Sequence, residues 1–300
     1  MDLRTRGGLL AEGYSERELR RLLRDGQLDP VRPGAYVFGG VPPDAAARHL
    51  LQVRAACEQL STDAVVSHAS AAVVHGLALW VTPLDRVHVT RDRRSSGARR
   101  GRRVHVHSAA LDTDEVVPVA GIAVTSVERT LVDLGRTVPF EQAVVAADQA
   151  LHRHLTSRGA LDLASVRRPR LPGMPAARRA LAFADAGAVS PGESRSRVAI
   201  AQAGLPAPVL QWEVRTVSGR FVGRVDFGWP ELRTVGEFDG RVKYGRELRP
   251  GQDPAEVLYE EKLREDALRA EDLGVVRWGW GDLDRFGPVA QRLRDRYRSR

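Results

Sequence analysis

Cysteine is nearly absent: Cys57 stands alone in 300 residues. That excludes an intramolecular disulfide framework and leaves a small apolar side chain whose natural place is a core. Lysine is almost as scarce, with only Lys243 and Lys262, so the 46 basic residues are nearly all arginine. Such a bias reads as genomic composition, which makes arginine number uninformative and draws attention to the two lysines, both near one acidic stretch. No run of about 18 apolar residues occurs, so no membrane span is expected. The N-terminus lacks an apolar signal stretch, and the expectation is a cytoplasmic protein. After His154 the chain has no histidine, so nuclease chemistry of the HNH kind has no imidazole in the C-terminal half.

What is present describes an ordinary globular chain, with 43% hydrophobic and 28% charged residues. Its length allows two or three domains with ample core. A net charge of +8 and a pI near 10.4 favour a polyanionic partner. The expected class is a multidomain α+β and α/β chain. Its parts are residues 1–40, an α+β middle region over 41–166, a Pro/Arg-rich linker and helix over 167–187, and a C-terminal domain over 188–300.

Residues 1–40 read as helix, helix and a short β-wing. Ser15-Glu16-Arg17-Glu18 has the capping-box pattern. Leu19, Leu22 and Leu23 make the apolar stripe, while Arg17, Arg20, Arg21 and Arg24 lie off it. Gly26 stops the helix, and two short strands follow around Pro33-Gly34. This is the plan of a winged helix-turn-helix, whose recognition helix enters the major groove. The four arginines, with Arg32 of the wing, are the candidate DNA contacts. A small helical subdomain with solvated arginines fits the same pattern. The wording Gly13-Tyr14-Ser15, Gly26-Gln27-Leu28 and Arg32-Pro33-Gly34-Ala35-Tyr36 resembles the N-terminal DNA-binding domain of AbiEi-type antitoxins of type IV toxin–antitoxin systems. The resemblance implies repression of the domain's own operon and a cognate toxin as a partner.

In the middle region Asp44 is placed to cap an Ala-rich helix reaching Leu60. Residues 65–79 read as another helix, opened by Ser67 and ended near Gly76. His68 and His75 share a helical face, but no third ligand has a matching spacing, so they read as satisfied core or surface histidines. Ser67-His68-Ala69-Ser70-Ala71 also occurs in AbiEi-like proteins, which implies packing against the wing domain. No strained Gly-x-Ser-x-Gly turn marks a serine nucleophile. Residues 86–90 and 103–107 alternate as strands, joined by an arginine-dense loop. That loop suits either phosphate clamping with salt-sensitive affinity or a solvated hairpin tip. His105 and His107 share a face, though a His-x-His pair alone is weak evidence for zinc. Helices are expected over 125–134 and 140–154, and the prolines of 167–175 exclude regular structure there.

The stretch 219–243 carries the chemistry. Two strand-forming runs flank Trp229-Pro230-Glu231-Leu232-Arg233, and a hairpin centred between Glu231 and Leu232 sets Asp226 opposite Glu237. Asp239 shares the Glu237 face, because side chains alternate along a strand. Opposed like charges are destabilising, and converging carboxylates suit a hard divalent cation that keeps positions for water and phosphate. An edge hairpin with solvated acids has the same spacing. Ser190-Pro191-Gly192-Glu193 opens a helix in which a capping box accounts for Glu193.

Asp226, then Glu237-Phe238-Asp239-Gly240, then Glu261-Lys262-Leu263-Arg264-Glu265-Asp266 resembles the PD-(D/E)XK nuclease superfamily. The likeness is to its very-short-patch-repair-endonuclease-like branch, over residues 188–285. It implies a restriction-endonuclease-like α/β core of order α-β-β-β-α-β. It also implies Mg²⁺ held by Asp226, Glu237 and the carbonyl of Phe238, with Glu193 on the first helix assisting. The usual acid-x-Lys ends here in Asp239. Lys262, as in relatives with a migrated lysine, or Lys243 in a loop, would then take the missing lysine's part. Two functions follow as expectations: an Mg²⁺-dependent DNA endonuclease directed by the winged helix, or a DNA-binding antitoxin and autorepressor with an inactive nuclease fold.

Overall fold

The computed structural model describes residues 2–61, 63–92, 103–240, 268 and 270–298, together with the backbone of 99–100. The expected helix carrying Lys262 (Leu268 and Ala270 apart), the loop carrying Lys243 and the arginine-dense segment 93–98 lie outside the described residues. The fold is a mixture of helices and several sheets, as expected of an α+β multidomain chain, and divides into two compact units, Met1–Ala184 and Asp185–Arg300. Among the described residues no helix is long and apolar enough to cross a membrane.

The first unit begins with β1 (Leu3–Thr5), α1 (Arg6–Ala11), α2 (Glu16–Arg24), β2 (Leu28–Arg32) and β3 (Ala35–Phe38). Ser15 caps α2 through the full capping box with Glu18. The three strands form an antiparallel sheet of order β1-β3-β2. Leu9, Leu19 and Leu28 are its buried core, with Tyr14, Leu22, Leu23 and Tyr36 packed on them. The two helices and the hairpin lie where the sequence places them. β1 is an addition, too short to register as an alternation.

Next come α3 (Ala45–Cys57), β4 (Val65–Val66), α4 (His68–Val74), β5 (Val87–Arg91), β6 (Arg99–Arg100), β7 (Val104–Ser108), β8 (Val116–Val119) and β9 (Ile122–Thr125). The six strands form one sheet of order β6-β7-β5-β4-β9-β8. Two expectations are corrected here. Val65 and Val66 are strand rather than helix, because they pair with β5 on one side and β9 on the other. β5 and β7 are not a hairpin but run parallel, with Val87 beside Val104 and Arg91 beside Ser108. β6 pairs antiparallel with β7, on the side away from β5.

Helices α5 (Val127–Thr137), α6 (Phe140–His152), α7 (Arg158–Arg167) and α8 (Met174–Phe183) complete the unit around Leu131, Leu134, Leu161, Met174 and Leu181, all at most 1% exposed. Of residues 167–175, expected to be irregular, Arg167 ends α7 and Met174 and Pro175 open α8, a first-turn position that proline tolerates; the stretch between is irregular yet docked, Arg136 Nε donating to Pro172 O at 2.6 Å.

The second unit comprises α9 (Pro191–Gln202), β10 (Val209–Arg215), β11 (Phe221–Trp229), β12 (Thr234–Asp239), β13 (Gly274–Gly279), α10 (Trp280–Leu283) and α11 (Gly287–Arg298). Its sheet has order β10-β11-β12-β13, antiparallel except for the parallel pair β12–β13. The hairpin register Phe227–Gly236, Gly228–Val235 and Trp229–Thr234 has the expected centre. On β10, Gln211 has φ +49 between the pairs Leu210–Phe227 and Trp212–Val225. Across from it on β11, Val225 lies in a cluster with Val214, Val235, Leu268 and Leu273, while Phe227 joins Ile200, Trp278 and Leu293.

Two glycines permit this packing. A Cβ on Gly192 would lie 1.9 Å from Cε1 of Phe238, and one on Gly236 would lie 2.5 Å from Cη2 of Trp278. Gly192→Ala and Gly236→Ala should therefore each cost about 1–3 kcal/mol in denaturant unfolding of the second unit. Gly281→Ala, with open space around its Cβ, should change stability by less than about 0.5 kcal/mol. Equal effects at all three positions would contradict the packing.

Candidate functional site on the C-terminal sheet

The head of α9 holds a buried carboxylate. Ser190 caps the helix and donates through Oγ to Glu193 Oε1 at 2.8 Å. Glu193 Oε2 accepts from the Val189 N–H at 3.1 Å and from Gln211 Nε2 at 3.0 Å. The left-handed backbone at Gln211 thus coincides with a side chain that reaches across to the helix. Burial raises the Glu193 pKa, and the nearby Asp226 charge pushes the same way, against the hydrogen bonds from Val189 and Ser190. Asp226 in turn accepts the backbone N–H of Phe238 through Oδ2 at 2.9 Å.

The structure thus brings Glu193, Gln211 and Asp226 together. Glu237 is 7% exposed and accepts from Arg277 Nε at 2.8 Å, its register partner on the parallel strand. Asp239 is exposed at the end of β12. The Phe238 carbonyl accepts the Gly240 N–H at 3.1 Å, and the Phe238 ring meets Trp280 edge to face at 5.0 Å. Among the described residues, no three carboxylates bring ligand oxygens within 4.8 Å of one another. Gln211 carried no sequence signal, being one polar residue in a strand.

In the first unit Arg17, Arg20, Arg21 and Arg24 are all exposed on α2. Arg32 is set apart. It is half-buried, and burial with the neighbouring Arg103 charge lowers its pKa. It lines a small cavity with Gln52, Asp85 and Arg103.

Histidines form a further cluster. His75 Nε2 meets the Thr125 carbonyl at 2.8 Å, so His68 does not pair with it. Instead His68, His88 and His107 place ring nitrogens within 4.8 Å of one another, and His105 packs beside them. Burial, then the mutual repulsion of the rings, holds all three below the ordinary imidazole pKa, His88 at about 4. The His-x-His spacing was a faint signal, and what completes the group is the parallel pairing of β5 with β7.

No family model matches the chain. Two curated Mycobacterium tuberculosis proteins, the uncharacterized protein Rv2248 of strain H37Rv and MT2308 of strain CDC 1551, are each 33% identical to it over 121 residues. The match covers 40% of this chain and 44% of either relative, so this chain spans less than half the length of the relatives it matches. The solved structure of the M. tuberculosis protein RV2827C has a TM-score of 0.40 at 16% identity, covering 72% of this chain and 84% of that one. That likeness is too low to bear on fold or function.

The histidine cluster gives a pH dependence with a definite sign. The unfolded chain takes up protons on these imidazoles near pH ~6.5, while the folded cluster resists them. Their contribution is complete above that pH and falls away as it drops towards about 4, the value for His88. Thermal midpoints should drop between pH 7 and pH 5, and His88→Gln should flatten the slope. A slope unchanged in the variant would contradict the assignment.

Proposed function

We propose that this chain is a DNA-binding protein whose C-terminal unit is a PD-(D/E)XK-type, Mg²⁺-dependent phosphodiester hydrolase. The observation that carries the reading is the acidic pole, the pair of positioned carboxylates on α9 and β11: Glu193 held by the Val189 N–H and by Gln211 of β10, and Asp226 held by the Phe238 N–H. Behind it α9, β10, β11, β12 and β13 follow one another along the chain in the order that the family resemblance implies, most of the helix expected before β13 lying outside the described residues. The donors fit the ion: Mg²⁺ takes oxygen ligands, and one or two carboxylates with retained waters suffice.

Asp226 and Glu193 would hold the ion, with Glu237 and the Phe238 carbonyl as the remaining candidates. Bound there, Mg²⁺ supplies water orientation and neutralises charge on the scissile phosphate. The chain's own residues do the rest. Gln211 and Val189 fix the Glu193 carboxylate, and the Phe238 N–H fixes that of Asp226. Lys262 or Lys243 would stabilise the phosphate charge in place of the lysine that Asp239 replaces. The exposed arginines of α2 supply phosphate contacts, which position without specifying sequence. A second reading has its own support: the Arg277–Glu237 ion pair at 2.8 Å occupies a carboxylate that the family resemblance assigns to the metal. That favours a DNA-binding antitoxin or autorepressor, with a toxin partner, on a non-cleaving fold.

Incubating supercoiled plasmid with protein and Mg²⁺ separates the two. The hydrolase reading expects nicking that falls to background in Asp226→Asn and in Glu193→Gln; nicking that survives both contradicts it. Binding to DNA should weaken steeply with salt in gel-shift titrations. Replacing Arg17, Arg20, Arg21 and Arg24 with alanine should lower the salt slope by about one for each phosphate no longer neutralised, equally across sequences. An unchanged slope would remove α2 from the interface.

A further inference from the structure

The histidine cluster of the first unit serves neither the arginine helix nor the acidic pole, and its geometry is unlike that of the other buried histidine nearby. His49 is satisfied by ordinary partners, the Leu84 carbonyl at 3.0 Å and Ser70 Oγ at 2.8 Å. In the cluster the imidazoles face one another. The parallel register sets His88 beside His105 and Thr90 beside His107, so three histidines of β5 and β7 share one face of the sheet. α4 lays His68 over them. The His68 ring stacks on His107 with centroids 3.6 Å apart, and His88 Nδ1 lies 3.0 Å from His107 Nε2.

We infer that His68, His88 and His107 form a binding site for a divalent transition-metal ion of the Zn²⁺ class, with His105 or water completing its coordination. Three imidazole nitrogens within 4.8 Å of one another are the donor set such an ion selects, and Mg²⁺ does not. A hydrogen bond between two rings satisfies one pair of nitrogens, whereas an ion satisfies the set. Protonation is disfavoured by burial and by the neighbouring rings, so the lone pairs a metal needs are retained.

The surroundings are those of a positioned ligand. His68 is 3% exposed, and its Nδ1 lies 3.0 Å from Ser67 Oγ. With the proton on Nδ1, Nε2 is the free donor atom. Ser67 Oγ also accepts from Thr90 Oγ1 at 2.8 Å. Asp133 Oδ2 stands 3.9 Å from His68 Nδ1, too far for a hydrogen bond, and is itself held by Arg129 at 3.0 Å. Such outer partners set the tautomer and ring orientation of metal-binding histidines. His68 also has φ +53 at the start of α4, a left-handed backbone uncommon for a non-glycine residue. Because the His68 and His107 rings are stacked, one must turn about its Cβ–Cγ bond to bring both lone pairs to one ion; that torsion has a broad profile.

The test is titration of the chelator-treated full-length chain with Zn²⁺ against a chromophoric competitor. One ion per chain should bind, with affinity falling at least tenfold in each of His68→Gln, His88→Gln and His107→Gln and unchanged in His154→Gln. Asp226→Asn should leave Zn²⁺ binding intact, which separates this site from the acidic pole. Should the glutamine variants fail to fold, X-ray absorption of the Zn²⁺-loaded wild type decides: imidazole scattering with Zn–N near about 2.0–2.1 Å is expected. No stoichiometric binding, wild-type affinity in all three variants, or an oxygen-only shell would overturn the inference.

Discussion

Asp226 takes the N–H of Phe238 with its carboxylate at 2.9 Å, and much of the C-terminal unit is set by that one bond. A hydrogen bond to an ionised acceptor contributes about 1.5–3 kcal/mol, enough to fix where the hairpin ladder gives way. Beyond Phe227–Gly236 the strands are joined by a side chain, so a charge stands where backbone pairing would otherwise continue. The same residue, Phe238, lays its ring over Gly192 and so fixes the head of α9, where Glu193 sits. Backbone, ring and carboxylate are thus coupled: moving any one moves the acidic pole.

The two units offer different donor atoms to the two proposed ions. In the second they are oxygens from a helix head and a strand, which the proposed Mg²⁺ would take. In the first they are the imidazole nitrogens of α4, β5 and β7, which the proposed Zn²⁺-class ion would take. Around the histidines runs a buried ion network in which Arg129 and Arg136 hold Asp133 at 3.0 and 2.7 Å, and Arg129 and Arg168 hold Glu115 at 3.2 and 2.7 Å. Breaking one partner of such a network leaves a buried charge uncompensated, which is costly. The network ties α5 to the end of α7 and holds the floor beneath His68.

How much was readable follows from the range of the causes. Caps act within four residues, so Ser15, Asp44 and Ser190 announced their helices and the structure places them there. The turn around Pro230 fixed a hairpin register by arithmetic alone. Partners far along the chain left no such trace. Arg277 reaches Glu237 across 40 positions, and Gln211 reaches Glu193 across 18. The parallel pairing of β5 and β7 depends on a crossover that alternation cannot reveal, and with it went the histidine cluster. Lys243 and Lys262 lie outside the described residues, so their part rests on the sequence.

Everything proposed for the C-terminal unit requires that carboxylates at the head of α9 and on the neighbouring strand hold a divalent cation. Crystals soaked in Mn²⁺, an Mg²⁺ surrogate with usable anomalous scattering, test this most directly. The expected result is an anomalous peak bonded to Asp226 and Glu193. A peak confined to other parts of the molecule, or no peak beside Asp226, would contradict it.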